Sequence, residues 1–185
     1  MIKLEKVTNE NYEAVSQLSV HEHQVEELDW DITAELQDYL NNEKNEEIIF
    51  AIYHNATPIG LVEIGSYENG QDNYNHQKYG DKVTYEIQRM MIDGAYQGKG
   101  FGKQALPAII DYIKTFPHGL ADAITVTYFL SNMVAKSLYQ SVGFVETGEK
   151  WDGDTLDPWD DNRTDELEMA EVGARLALSE RRDLT

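Results

Sequence analysis

The chain has 185 residues, with 34 acidic side chains against 15 basic ones, a formal charge of −19 and no cysteine. That length suits one domain that buries roughly 70% of its unfolded surface unaided, and the missing cysteine excludes disulfides, thiolate metal sites and cysteine nucleophiles. So negative a field argues against nucleic-acid and membrane partners and attracts cations, with solubility or adaptation to salt as the competing explanation.

The N-terminus, "MIKLEKVTNENYEAV", has no basic region leading into an apolar run, so no signal peptide is expected. No apolar run approaches the ~20 residues needed to span a bilayer, and a soluble cytoplasmic protein is the expectation. Residues 2–7 alternate as a strand. Asn9 is placed to cap a helix running to Leu18, with Tyr12, Val15 and Leu18 at helical spacing. "HEHQVEELDWD" follows (residues 21–31), and its acidic residues suit either a solvated face or a cationic ligand. His21 and His23 do not complete H-E-x-x-H, because Val25 stands where the second histidine belongs, so no metal is expected.

A second helix is predicted from Asp31 to Asn41 on the stripe Ile32, Leu36, Leu40. "EEIIFAIYHN" and "TPIGLVEIGSY" read as strands joined by a short turn containing Pro58; Asn55-Ala56-Thr57 is taken as an ordinary turn despite its glycosylation pattern. Residues 68–82 form a polar loop. "VTYEIQRMMID" (83–93) reads as a long central strand. A glycine-rich turn and a helix to Phe116 come next, with Phe101, Ala105, Ile109, Tyr112 and Phe116 facing inward and a kink or loose first turn expected at Pro107. "AITVTYFL" is a strand. Ser131 is placed to cap a helix with the stripe Ala135, Leu138, Tyr139, Val142, ended by Gly143. "GFVETGEKW" and "AEVGARLAL" are the last strands, and the acidic stretch 151–168 between them is an exposed loop. The order predicts an α/β (α+β) fold over 1–185, a mixed, mostly antiparallel central sheet flanked by helices.

A strand delivering "YQGKGFGKQAL" into a helix start makes an anion site, since backbone N–H groups converge where the helix dipole is positive. The Walker pattern fails, because Gly98 to Gly102 is too short and Gln104 follows Lys103. The dinucleotide pattern fails because Lys103 stands where its third glycine belongs. What remains is Q-x-x-G-x-G, from Gln97 to Gly102. A second stretch, Asn132 to Phe144, reads N-x-x-A-x-x-L-Y-x-x-x-G-F.

Together, "RMMIDGAYQGKGFGKQAL" and "SNMVAKSLYQSVGFVETGE" resemble the GNAT superfamily of N-acetyltransferases, and more narrowly its bacterial spermine/spermidine or diamine acetyltransferases. The resemblance implies acetyl-coenzyme A as acetyl donor. It matches Gln97, Gly98, Lys99, Gly100, Phe101, Gly102 and Lys103 to the pyrophosphate loop. Met91 and Ile92 match the strand end that pairs with the pantetheine arm, where a backbone N–H meets the oxyanion. Asn132 and Lys136 match positions near the pantetheine and phosphate ends. Tyr139 matches the general acid, where spacing alone would make it a core tyrosine. Glu86 is the candidate base, or else a solvent-facing acid. Gln88 stands where this branch often has tryptophan, a departure that counts against the branch's usual acceptor pocket.

Glu22, Glu26, Glu27, Asp29 and Asp31 fall where the first helices border the acceptor groove of such folds, with Trp30 as a cation–π partner for an ammonium group. The function expected is acetyl transfer to a small primary amine such as a polyamine. Another amine acceptor (an amino sugar, an antibiotic amine, a peptide N-terminus) and a non-catalytic sensor of coenzyme or polyamine are the alternatives. Dimers are common among GNAT enzymes, which leaves a homodimer open.

Overall fold

The computed structural model describes residues 1–28, 30–42, 47–67, 83–151 and 171–178. The predicted polar loop 68–82 lies outside them, as does the acidic stretch beyond Trp151. One sheet is built from β1 (Ile2–Lys6), β2 (Ile48–His54), β3 (Thr57–Tyr67), β4 (Val83–Ile92), β5 (Ala121–Phe129), β6 (Val145–Trp151) and β7 (Glu171–Ala177). Their order across the sheet is β1-β2-β3-β4-β5-β7-β6, and only β4 and β5 run parallel. The parallel pair needs a crossover, which the glycine-initiated helix supplies.

Among the described residues the α-helices are α1 (Tyr12–Val15), α2 (Val25–Leu28), α3 (Ile32–Asn41), α4 (Phe101–Ile113) and α5 (Met133–Gln140). β2 is almost uninterruptedly buried because both sheet faces are covered. Ile52, Ile64, Ile87, Leu106, Ile109 and Ile124 are among the residues of a first core, to which α4 and α5 contribute. Trp30, Leu36, Ile49, Leu61 and Met91 belong to a second core, covered by α1, α2 and α3.

Four local expectations are corrected. Asn9 caps nothing: Asn11 is the N-cap residue of α1, and its side chain folds back, accepting from Thr8 N (2.8 Å) and donating to Lys6 O (3.0 Å). α1 closes after one turn at its C-cap Ser16, although Leu18 beyond it is still buried. Ser131 is not the cap of α5; Asn132 Oδ1 accepts from Ala135 N at 2.9 Å. The helix expected to reach Phe116 ends at Ile113, and Phe116 takes a left-handed φ of 55°. Pro107 lies inside α4, which runs on through it; the proline is exposed, so the carbonyl it leaves without a donor can turn to water.

Candidate active site

β4 and β5 pair from Val83↔Ala121 to Ile87↔Val126 and then part. β4 continues along β3 to Gly60↔Ile92, while β5 continues along β7 to Phe129↔Glu171. The centre of the sheet is thus a wedge, with Met91 and Ile92 on one edge and Tyr128 and Phe129 on the other. An extended chain can enter there and meet backbone groups of β4 that β5 has released.

A bulge decides which face of the sheet each β4 side chain enters. β3 and β4 lose register between Glu63↔Arg89 and Ile64↔Ile87, so Gln88 is an extra residue in β4. Before the bulge Tyr85 and Ile87 enter the first core; after it Met90 and Ile92 do. One inserted residue reverses the alternation, so Arg89 and Met91 share the face of Glu86 instead of the opposite one. On that face Arg89 Nη1 lies 2.9 Å from Glu63 Oε2 and 3.9 Å from Glu35 Oε1, and its guanidinium sits 5.8 Å from the Trp30 ring centroid. Glu63 is 2% exposed. Burial pushes its carboxyl above the usual carboxylate range; Arg89 opposes that shift, and Glu47 and Glu35 add to it. Gln88 packs its carboxamide against Gly65, where a Cβ would approach Nε2 to 2.7 Å, and reaches Glu47 Oε1 at 3.4 Å.

The glycine loop sits at the mouth of the wedge. Gly98 and Gly100 have φ of 72° and 76°, a region L-residues avoid, and nothing lies within 4 Å of a Cβ built on either. Both are therefore required by conformation, and both leave an open cradle. Gly102 has ordinary φ, and its Cβ would merely touch Leu138. Gly100 is the N-cap residue of α4, so the N–H groups of Phe101, Gly102 and Lys103 have no acceptor inside the helix. Lys99 Nζ donates to Ala95 O at 2.7 Å and lies 5.4 Å from the Tyr96 ring centroid, while Lys103 is exposed. Gln97 Nε2 donates both to Ile92 O and to Gln24 Oε1, each at 2.9 Å. Asp93 accepts from Ala95 N and Ser19 N, which ties the loop to the segment before α2. A polyanion such as the diphosphate of acetyl-coenzyme A fits this cradle, and the wedge beside it fits an extended arm.

Tyr139 projects from α5 into the first core and is 6% exposed. Burial, with a smaller contribution from Tyr128, raises its phenol far above the ordinary value of 10.0. It stays protonated at physiological pH, so the proton is in place, and the same burial makes it a weaker acid than a free phenol. Lys136 pairs with Glu146 Oε1 at 2.9 Å, and the Asn132 side chain is used as the cap of α5.

The remaining predicted residues divide. Glu86 is partly exposed on β4, opposite Gly65 and Thr125 and one residue before β4 and β5 part. Glu22 is exposed on the single 3-10 turn Glu22–Gln24, whose Gln24 touches Gln97. The side chains of Glu26 and Glu27 and the whole of Asp29 lie outside the described residues. Asp31 is spent as the cap of α3, accepting from Ala34 N at 3.0 Å. Trp30 is no open platform for an ammonium: it is 8% exposed in the second core, and its ring contact is with Arg89. Sequence reasoning missed Glu63, Arg89, Glu35 and Glu47. The available signal was one acid, Glu63, inside the apolar run "IGLVEIG". His21 and His23 stack at 5.8 Å, and no group of three metal-ligating side chains is found among the described residues. No described helix is long and apolar enough to cross a membrane.

The profile of the acetyltransferase (GNAT) family matches residues 12–144. The chain is 28% identical over 149 residues to the spermine/spermidine N(1)-acetyltransferase of Bacillus subtilis (strain 168), covering 80% of this chain and 90% of that protein. In fold it is similar to the spermidine N-acetyltransferase of Vibrio cholerae in complex with CoA and spermine, with a TM-score of 0.67, 20% identity and 95% of each chain covered. It is also similar to an aminoglycoside acetyltransferase, AAC(6')-Ib, in complex with coenzyme A, with a TM-score of 0.69, 18% identity, and 96% of this chain and 95% of the other covered.

Proposed function

This chain belongs to the acetyltransferase (GNAT) family, and on that footing we propose that the amine it acetylates is a polyamine. It is an acetyl-coenzyme A-dependent N-acetyltransferase. The observation that carries the choice of acceptor is the acidic face at the β4 bulge. Exposed Glu47 and half-exposed Glu35 both act on the buried carboxyl of Glu63, which Arg89 pairs, and Glu47 and Glu35 are the acids open to a ligand. A polycation is drawn to such a face, and the overall charge of −19 extends the attraction outward. The similarity to a spermine/spermidine acetyltransferase supports the same reading.

Acetyl-coenzyme A supplies an acetyl group already activated as a thioester. The chain's own residues divide the remaining work. The amides from Gly98 to Lys103 would hold the diphosphate, with Lys99 and Lys103 as local positive charge; distant acids are screened beyond ~8–10 Å. Backbone groups at Met91 and Ile92 would align the arm and offer an N–H to the carbonyl oxygen. Glu86 would take a proton from the attacking amine, directly or through water. Tyr139 holds the proton that the departing sulfur needs. No metal is assigned a part. The setting proposed is the cytoplasm, without nucleic-acid or membrane partners.

Release of free thiol from acetyl-coenzyme A, measured across spermine, spermidine, putrescine, lysine, aminoglycosides and short peptides, tests the reading. Selective turnover of polyamines is the expected result. Turnover confined to aminoglycosides, lysine or peptides would replace the acceptor and leave the family chemistry intact.

A further inference from the structure

Tyr139 is enclosed by two rings. Tyr128 stacks on it with centroids 5.8 Å apart and planes 17° from parallel, and Phe144 meets it edge-on at 5.4 Å. The Tyr128 hydroxyl donates to Glu146 Oε1 at 3.1 Å, and Lys136 Nζ holds that same oxygen at 2.9 Å. The series runs outward through three elements: Tyr128 on β5 is buried, while Glu146 on β6 and Lys136 on α5 are 28% and 33% exposed.

β6 turns irregular just beyond Glu146. The β6–β7 register breaks between Glu146 and Lys150, Gly148 has a φ of 82°, and Thr147 Oγ1 bonds sideways to Gly173 O. Glu146 itself keeps its pairing with Ala174 and is partly exposed, so its carboxylate stands at the rim of the first core and reaches inward to the Tyr128 phenol.

We propose that Glu146 is a positioning residue for the proton donor, acting through Tyr128. Its oxygen fixes the Tyr128 phenol, and the Tyr128 ring is the plate against which Tyr139 is held toward the wedge. Tyr128 has one O–H, and Glu146 takes it, so that proton is not offered to Tyr139. The inference rests on the reading of Tyr139 as proton donor and adds to it the two residues that keep its ring in place.

A double-mutant cycle on kcat, with KM followed for both substrates, separates this role from general support of the fold. Glu146→Ala should lower kcat about tenfold, leaving KM for acetyl-coenzyme A and for the amine within about twofold, while Glu146→Gln, which still accepts from Tyr128, recovers most of the rate. In a Tyr139→Phe background the same Glu146→Ala change should cost nothing further. An equal loss in both backgrounds overturns the proposal, as does a full rate for Glu146→Ala beside a slowed Tyr139→Phe. A full rate for Tyr139→Phe itself removes the proton donor and the proposal together, which identifies the failing premise.

Discussion

Gln97 Nε2 lies 2.9 Å from Gln24 Oε1, so a residue of the glycine loop grips the turn that precedes α2. The same nitrogen holds Ile92 O at the end of β4. One carboxamide therefore sets the spacing between the glycine loop, the end of β4 and the turn before α2. Gln97→Leu keeps the size and removes both bonds. Steady-state kinetics should show KM for acetyl-coenzyme A raised about fivefold or more, equivalent to about 1 kcal/mol for the lost bonds. An unchanged KM would detach Gln97 from the site.

Gly100→Ala probes the cradle itself. Nothing lies within 4 Å of the new Cβ, but the residue must hold a φ of 76°, which costs an L-residue about 1–2 kcal/mol. The expected result is a modest drop in denaturation midpoint with a larger loss of coenzyme affinity, tenfold or more by calorimetry. Loss of stability with full affinity would mean that the anion lies elsewhere.

Tyr139→Phe removes one oxygen from a stacked ring and leaves the packing with Tyr128 and Phe144. kcat should fall about a hundredfold, the scale of a general acid, with little change in KM. Because burial raises the Tyr139 phenol above 10.0, the wild-type kcat should not decline on the alkaline side up to about pH 9.5. A decline near neutrality would point to another proton donor.

Glu63 gives a prediction for stability. Its folded value is raised above 4.5, so the folded state binds this proton more tightly than the unfolded chain does. The contribution is complete below about pH 4.5 and is lost as the pH climbs through the elevated value. Glu63→Gln carries no such proton, and its denaturation midpoint relative to wild type should improve between about pH 4.5 and pH 7. A difference that stays constant over that window would show Glu63 to titrate normally.

The two motifs were legible because each demands unusual chemistry at fixed spacing. Left-handed glycines at 98 and 100 cannot be replaced cheaply, and the tyrosine of α5 sits on a stripe that periodicity exposes. The strands were legible too, since β2 and β5 are largely apolar with many β-branched residues and β4 opens on the alternation V-T-Y-E-I. What escaped was whatever depends on register. Arg89 faces Glu63 only because Gln88 is inserted in β4, and no local pattern marks a bulge. Asn11 and Asn132 displaced Asn9 and Ser131 as caps because neighbouring asparagines and serines have nearly equal intrinsic claims, which tertiary contacts decide. Trp30 looked like a surface for ligand because the sequence could not show that an arginine 59 positions away would cover it.

The parting of β4 from β5 also bears on how the molecule breathes. Five register pairs join the two halves of the sheet, and the strand ends beyond them have no such tie. Without donor, deuterium should enter the β4 amides beyond Ile87 that face β5 far sooner than it enters those paired with β3. A bound donor arm would behave as an eighth strand, closing the seam by lending its own amides and carbonyls. Exchange should then slow along that one edge, and thermal unfolding should shift upward in proportion to the logarithm of donor concentration.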